Sequence, residues 1–534
     1  MVSMEGKQRV KITTCHPTRA YFRPGEHGEI VVRVTGTLPE ATVARVVVTE
    51  LERTLLSADS SFTGLEQIIQ FPLPNTPGRG YGAAVELIDS TTRQVVARGS
   101  TALDVQNSWT DAPRYGFLSE FAPGEEYEQR ADALLARHIN VVQFYDWMYR
   151  HYQYLPPDDT FTDILHRTLS LSSTRRAIAA VQTRDMAAMA YGSVYGAEPD
   201  YALAHPDELL YDDAGKPLSL DGAFYFQDVR PGPWRDLILD EYRKAIQDVH
   251  FDGIHADQYG FPEEARDAQG NLVQMGPALA GIVGAAQHAV IDAGGDGIIF
   301  NCVTNWPIRD VAPEPQLCTY IEVWPPYRTL GDLSRLVAGA KELAQQRQVI
   351  LAAYMSAGAS TPNDAETATL LTSSAIHASG GFHLLLGEGT GMLVDPYYPK
   401  FAVPGPAFQR KLVAHWNFIV RYGTYLFDRS LVPATGAKVS NKKVWSIHRK
   451  SEGLETVSLI NAHPDDLWDA LKDKPSVRRN VRVEIPITGS VSGVFFASPD
   501  SATGAVASDY EHAHGKLVVT VPSVRTWTLV IITR

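Results

Sequence analysis

Gly253-Ile-His-Ala-Asp257-Gln-Tyr259, Gly297-Ile-Ile-Phe-Asn301 and Thr319-Tyr-Ile-Glu322-Val-Trp324 share one pattern. Each is a compact apolar run that ends on polar side chains, and amphipathic stretches separate them. Short buried strands alternating with helices are the mark of a parallel sheet assembled from βα units. Five more runs of the same kind surround them: Tyr115-Gly-Phe-Leu-Ser-Glu-Phe, Asn140-Val-Val-Gln-Phe-Tyr-Asp, Ala187-Ala-Met-Ala-Tyr-Gly, Val349-Ile-Leu-Ala-Ala-Tyr and Phe382-His-Leu-Leu-Leu-Gly-Glu. Between them, Trp234, Leu237, Ile238, Tyr242, Ala245 and Val249 recur at helical spacing. Eight strands is the number that closes a (β/α)8 barrel.

Outside this stretch the texture changes. Up to about residue 107 the chain alternates, with Ile30, Val32 and Val34 on one side and Arg33 and Thr35 on the other. Turn formers such as Arg23-Pro-Gly-Glu and Pro77-Gly-Arg-Gly divide the runs. The same β-sandwich texture returns from about Lys442, in Lys443-Val-Trp-Ser-Ile-His, Val481-Arg-Val-Glu-Ile and Trp527-Thr-Leu-Val-Ile-Ile. The expected layout is an all-β domain over 1–107, a barrel over 108–430 and a second sandwich over 431–534. A chain of 534 residues, 44% hydrophobic and 20% charged, has ample material for such cores. Its net charge of −13 argues against nucleic acid or an anionic membrane as partner, because both need clustered cations. No run is long enough to span a bilayer, and the opening Met1-Val-Ser-Met-Glu-Gly-Lys lacks the apolar core of a signal peptide. Cys15, Cys302 and Cys318 are odd in number and lack zinc-type spacing, so they are expected to be small buried side chains.

In a barrel the chemistry collects at the carboxyl ends of the strands. Those ends carry Asp146, His255, Asp257, Asn301, Glu322 and Glu388. Carboxylates avoid burial unless paired, so acids that directly follow apolar runs require a reason. Glycosidic cleavage supplies one: it needs one carboxyl to protonate the leaving oxygen and another to attack or stabilise an oxocarbenium-like carbon. Asp257 and Glu322, on alternate strands, form the best pair. The bland alternative is that they brace neighbouring arginines or loops. Tyr145, Trp147, Tyr149, Tyr152, Tyr154, Tyr259, Trp306, Trp324 and Tyr327 crowd the same ends, where flat rings with polar tips suit sugar faces, though any one of them could simply pack.

Gly116-Phe-Leu-Ser-Glu-Phe, Asn140-Val-Val-Gln-Phe-Tyr-Asp-Trp-Met-Tyr-Arg-His, Phe251-Asp-Gly-Ile-His-Ala-Asp-Gln-Tyr-Gly and Tyr320-Ile-Glu-Val-Trp-Pro-Pro-Tyr together resemble glycoside hydrolase family 66, the bacterial dextranases and cycloisomaltooligosaccharide glucanotransferases. The resemblance covers the barrel in order. It implies an immunoglobulin-like domain, a (β/α)8 barrel and a C-terminal Greek-key sandwich. It also implies retaining cleavage of α-1,6-glucan, with Asp257 as nucleophile and Glu322 as general acid/base. Matched positions suggest that Asp146 and Trp147 hold the sugar on the nonreducing side of the cut. They further suggest that His255, Tyr259, Asn301, Trp324 and Glu388 bind nearby. Asp146 could instead pair with Arg150, and His255 could be a satisfied interior imidazole. Leu386-Gly-Glu-Gly-Thr-Gly looks superficially like a phosphate loop but lacks the Gly-Lys-Ser/Thr ending.

Cyclising members of the family typically carry an extra carbohydrate-binding module within the barrel. No interstrand segment here has room for one, which favours a dextranase, an endo-hydrolase of dextran or isomaltooligosaccharides. Cyclisation is the alternative, and a carbohydrate-binding scaffold without chemistry is a third reading. The mechanism needs no cofactor and no metal, while a structural calcium and the oligomeric state stay open. Dextran is too large to enter a cell, which favours export. A chain trimmed of its leader and a cytoplasmic enzyme acting on imported oligosaccharides both fit.

Overall fold

The computed structural model describes residues 9–470 and 473–534; the opening stretch read above for a leader, residues 1–7, lies outside them. All eight anticipated parallel strands form: β1 (Tyr115–Leu118), β2 (Val141–Phe144), β3 (Ala187–Ser193), β4 (Gly253–Asp257), β5 (Gly297–Val303), β6 (Thr319–Glu322), β7 (Val349–Ala352), and β8 in two short pieces, Phe382–His383 and Leu386–Gly387. They pair in sequence order, each parallel to the next. The first piece of β8 pairs with β7 (Ile350 with Phe382) and the second with β1 (Gly387 with Phe117), so the sheet curls back onto its own beginning. The result is a barrel-like domain. Two short strands, Gly391–Leu393 and Phe401–Ala402, extend this eleven-stranded sheet beyond β8.

The seam between β8 and β1 explains the glycine-rich turn. A Cβ on Gly387 would stand 2.4 Å from the Phe117 carbonyl oxygen, so only glycine lets the two backbones approach. Helices follow the strands, as in Pro233–Gln247 and Leu330–Leu343. The first buries Trp234, Ile238, Tyr242 and Ala245 against the sheet. The second starts on a capping box in which Thr329 and Asp332 exchange bonds. Both faces of these strands are covered, which is why their sequences read as continuous apolar runs.

On the N-terminal side lie a three-stranded and a four-stranded antiparallel sheet. Strand His27–Thr35 alternates as expected, with Ile30, Val32 and Val34 buried beside Val46, Phe71 and Val85. On the C-terminal side lie a six-stranded and a four-stranded sheet. Their last strand, Trp527–Thr533, is buried on both faces. Val530 and Ile532 point into the C-terminal core with Val457 and Val519, while Trp527, Leu529 and Ile531 join the core of the barrel-like domain. There the indole of Trp527 meets the Phe418 ring edge-on, at 4.7 Å between centroids. Cys302 and Cys318 are buried and unpaired, and Cys15 is half-buried and unpaired. Among the described residues no helix is long and apolar enough to cross a membrane.

Candidate active site

β4, β5 and β6 end side by side, and each delivers one polar group to a cleft of about 560 Å³. Asn301 is the central piece. Its amide nitrogen donates to Asp257 Oδ1 at 2.7 Å and to Glu322 Oε2 at 2.9 Å. The two hydrogens of a side-chain amide diverge by about 120°. The bridged carboxylate oxygens therefore stand roughly 5 Å apart, and no farther than about 5.6 Å. Asp257 Oδ1 also accepts from the Gln258 backbone N–H at 2.9 Å, and Tyr354 donates its hydroxyl to Glu322 Oε1 at 2.8 Å.

Among the described residues no lysine or arginine pairs with either acid, which sets this pair apart from ordinary buried carboxylates. Burial pushes both upward. Asp257 rises to about 7, first because water is excluded and then because Glu322 lies beside it; Asn301, Tyr191 and the Gln258 N–H pull the other way. Glu322 is also raised by burial, against the donors Asn301, Tyr354 and Trp324. Two carboxyls this close share one proton near neutrality, and their titration belongs to the pair.

Asp146 reaches the cleft from the end of β2. Its backbone adopts a positive φ of 45°, an uncommon conformation for a residue with a side chain, and Arg167 fixes its carbonyl at 2.9 Å. Burial lifts its carboxyl to about 6, opposed by His151 and Arg167. It does not pair with Arg150, which stacks at 4.0 Å on Tyr149 and donates to the Thr162 carbonyl. His255 lies at the floor of the cleft, its Nδ1 2.9 Å from the Tyr115 hydroxyl, and burial drives its pKa down to about 3, so the ring is neutral. Tyr259 and Trp324 line the walls.

Two anticipated binding residues are not in the cleft. Trp147 is fully buried, its indole N–H donating to the Tyr191 carbonyl at 3.1 Å, and its ring packs against Phe251. Because successive side chains leave the turn after β2 in different directions, Asp146 faces the cleft and Trp147 faces the core. Glu388 accepts from the backbone N–H groups of Ser119 and Glu120 at 2.9 and 3.2 Å and pairs with Arg130 at 2.9 Å. It fastens the β8–β1 seam. Tyr149, Tyr152, Tyr154, Trp306 and Tyr327 also stay outside the cleft lining, and Tyr152 is spent on Asp200 and Tyr201.

The structure brings in residues that sequence reading passed over: Gln143, His151, Tyr191, Phe224, Tyr354, Tyr397 and Tyr398. Tyr398 donates to Gln143 at 3.0 Å and stacks on Tyr145 at 4.5 Å. Tyr191 and Tyr354 end the third and seventh runs, so their position at strand ends was a usable signal; Phe224 and Tyr398, on excursions between elements, gave none. A larger hollow of about 1000 Å³ opens between the C-terminal sheets, but its acids Asp509 and Glu511 are exposed, and it holds no buried carboxyl pair. Among the described residues no three His, Cys, Asp or Glu side chains are grouped to hold a metal.

The family model of glycosyl hydrolase family 66 matches residues 17–531. The chain belongs to glycosyl hydrolase family 66. This family-66 chain is a glycoside hydrolase. It is 24% identical to a cycloisomaltooligosaccharide glucanotransferase of Niallia circulans, across 97% of this chain and 71% of that protein. It is 21% identical to a dextranase of Streptococcus salivarius, across 86% of this chain and 68% of that one. A Paenibacillus sp. cycloisomaltooligosaccharide glucanotransferase complexed with cycloisomaltoheptaose superposes with a TM-score of 0.88 at 21% identity, covering 98% of this chain and 100% of that one. That likeness establishes a shared fold for the family-66 chain.

Proposed function

We propose that this protein is a dextranase that cleaves α-1,6-glucosidic bonds within dextran or isomaltooligosaccharides, with retention at the anomeric carbon. In this reading an immunoglobulin-like domain over 1–107 and a Greek-key sandwich over 431–534 flank a (β/α)8 catalytic barrel over 108–430. The observation that carries it is the Asn301 bridge. Retaining enzymes need their carboxyl groups about 5 to 5.5 Å apart, and inverting ones roughly 6.5 to 9.5 Å. The separation of roughly 5 Å across the bridge falls in the first range.

Asp257 attacks the anomeric carbon while Glu322 passes its proton to the departing glucosyl oxygen. Glu322 then takes a proton from water, and the resulting hydroxide attacks the anomeric carbon and releases Asp257. The active form is the singly protonated pair, with the proton on Glu322. Burial keeps one proton on the pair up to near neutral pH. Asn301 orients both acids, and Asp146, His255, Tyr259 and Trp324 offer polar tips and ring faces to the sugar. Trp147 and Glu388 have no part in this scheme.

Cyclisation is the second reading, favoured by the glucanotransferase names of the relatives. It shares the glycosyl-enzyme step and replaces water with a distal hydroxyl of the same chain. The architecture argues for water. The longest excursion between strands, from β3 to β4, holds a short helix, a small sheet and the helix Pro233–Gln247 in place of an inserted sandwich. Incubation with dextran separates the readings: linear isomaltooligosaccharides support hydrolysis, and cyclic products support the transferase. Binding without cleavage would leave only a scaffold. Early products of the α-anomer, seen by proton NMR, support retention.

A further inference from the structure

His151 lies outside the acid pair but lines the same cleft. It follows the β2 turn that carries Asp146, and its ring is held from two sides. Nδ1 bonds Glu198 Oε1 at 3.0 Å, and the His151 backbone N–H donates to both oxygens of the same carboxylate at 3.0 and 3.2 Å. Phe224 abuts the ring at 4.5 Å between centroids and Tyr191 at 6.2 Å, both edge-on. Glu198 itself sits after the strand Gly196–Ala197 at the start of the helix Pro199–Ala204. The ring has no freedom to turn, and among the described residues nothing bonds its Nε2. Asp146 is its complement: its carboxylate also lines the cleft without a hydrogen bond from the described residues.

Resting on the glycosidase reading above, we propose that His151, braced by Glu198, presents Nε2–H to one hydroxyl of the glucosyl unit while Asp146 accepts from a neighbouring one. A charged donor beside a charged acceptor matches a vicinal diol, in which one oxygen offers a lone pair and the next a hydrogen. The Glu198 carboxylate holds a hydrogen on Nδ1, so Nε2–H exists only in the imidazolium, the form that the same carboxylate stabilises. The charged groups facing the ring agree. Glu198, Asp146 and Asp257 all favour the imidazolium, and together they outweigh the cost of burial and raise its pKa. The positive ring in turn steadies Asp146 as a carboxylate. Glu198 therefore acts as a positioning residue and His151 as a binding residue.

Selective 15N labelling of histidine in the full chain tests this directly, with the His151 signals assigned by their loss in His151→Gln. The His151 ring is expected to titrate above a free imidazole, with hydrogen on both nitrogens below its midpoint, and Glu198→Gln should lower that midpoint. Adding isomaltotriose to the Asp257→Asn variant should shift the Nε2 resonance. On dextran, His151→Gln and Glu198→Gln should each lower kcat/KM about tenfold or more while the melting temperature stays within a few degrees. A His151 midpoint at or below that of a free imidazole, an Nε2 signal indifferent to the sugar, or kcat/KM within twofold of the parent in both variants would overturn the proposal. Should the parent chain leave every α-1,6-glucan uncut, the reaction reading fails. The ring titration and the sugar-induced shift still decide the role of His151.

Discussion

Glu388 and the pair Asp257/Glu322 are buried carboxyls at strand ends of one curled sheet, yet they are built for opposite ends. Glu388 meets a cation, Arg130, and two backbone N–H groups, so its charge is answered on every side and it ties β8 to β1. Burial still raises its pKa, with those donors opposing the rise. The proposed catalytic pair has no lysine or arginine partner among the described residues and shares one amide. Glu388 is answered where it stands, whereas the acids proposed to react depend on a proton that can move. Burial by itself does not distinguish the two.

The strongest way to break this contrast is to remove each charge in turn. Asp257→Asn and Glu322→Gln should each lower kcat on dextran by about a thousandfold or more, measured by reducing-sugar release. Their stability should move the other way. Burial raises the Asp257/Glu322 pair, Asp257 to about 7 against about 4 for a free aspartate, so the second ionisation of the pair weakens the fold progressively as pH rises toward and above 7. Asp257→Asn should thus melt higher than the parent at pH 8, with the gap closing toward pH 4. Asn301→Ala removes the donor common to both acids. We expect a loss of about 10 to 100-fold in kcat, with the acidic limb of the kcat/KM profile moving to higher pH because the carboxylates lose the bond that favours their charged form.

Glu388→Gln should spare kcat within about threefold but cost about 2 kcal/mol in urea unfolding, since Arg130 is left half-answered at the seam. A large loss of kcat with unchanged stability would invert the contrast drawn here. Tyr354→Phe is the finest test. It deletes a hydrogen bond that lowers the Glu322 pKa, so the alkaline limb should move upward, with kcat reduced only about threefold to tenfold.

Much of this was legible in one dimension. The eight apolar runs announce eight parallel strands because residues covered on both faces must be apolar throughout. Ile30, Val32 and Val34 announce a one-sided sheet by their period of two. Asp257, Asn301 and Glu322 stood out because each follows an apolar run at a place where the chain leaves the sheet. Trp147 and Asp146 show where this reading ends. Adjacent in sequence at one strand end, they separate in the turn after β2, one into the core and one into the cleft. Glu388 shows the same for charge: its partner Arg130 lies 258 positions away, so sequence alone could not tell a satisfied acid from a poised one.

Hydrophobic period, strand count and the residue types at strand ends are local properties, and the sequence by itself determined them. Which of those end residues face one another is a matter of register and of curling the sheet. That assigned one Asn301 amide to two carboxyls, Arg130 to Glu388 and Glu198 to His151. Electrostatic environment falls off over a few ångströms in space and has no counterpart in chain distance, so only the tertiary structure decided which acids would keep a mobile proton.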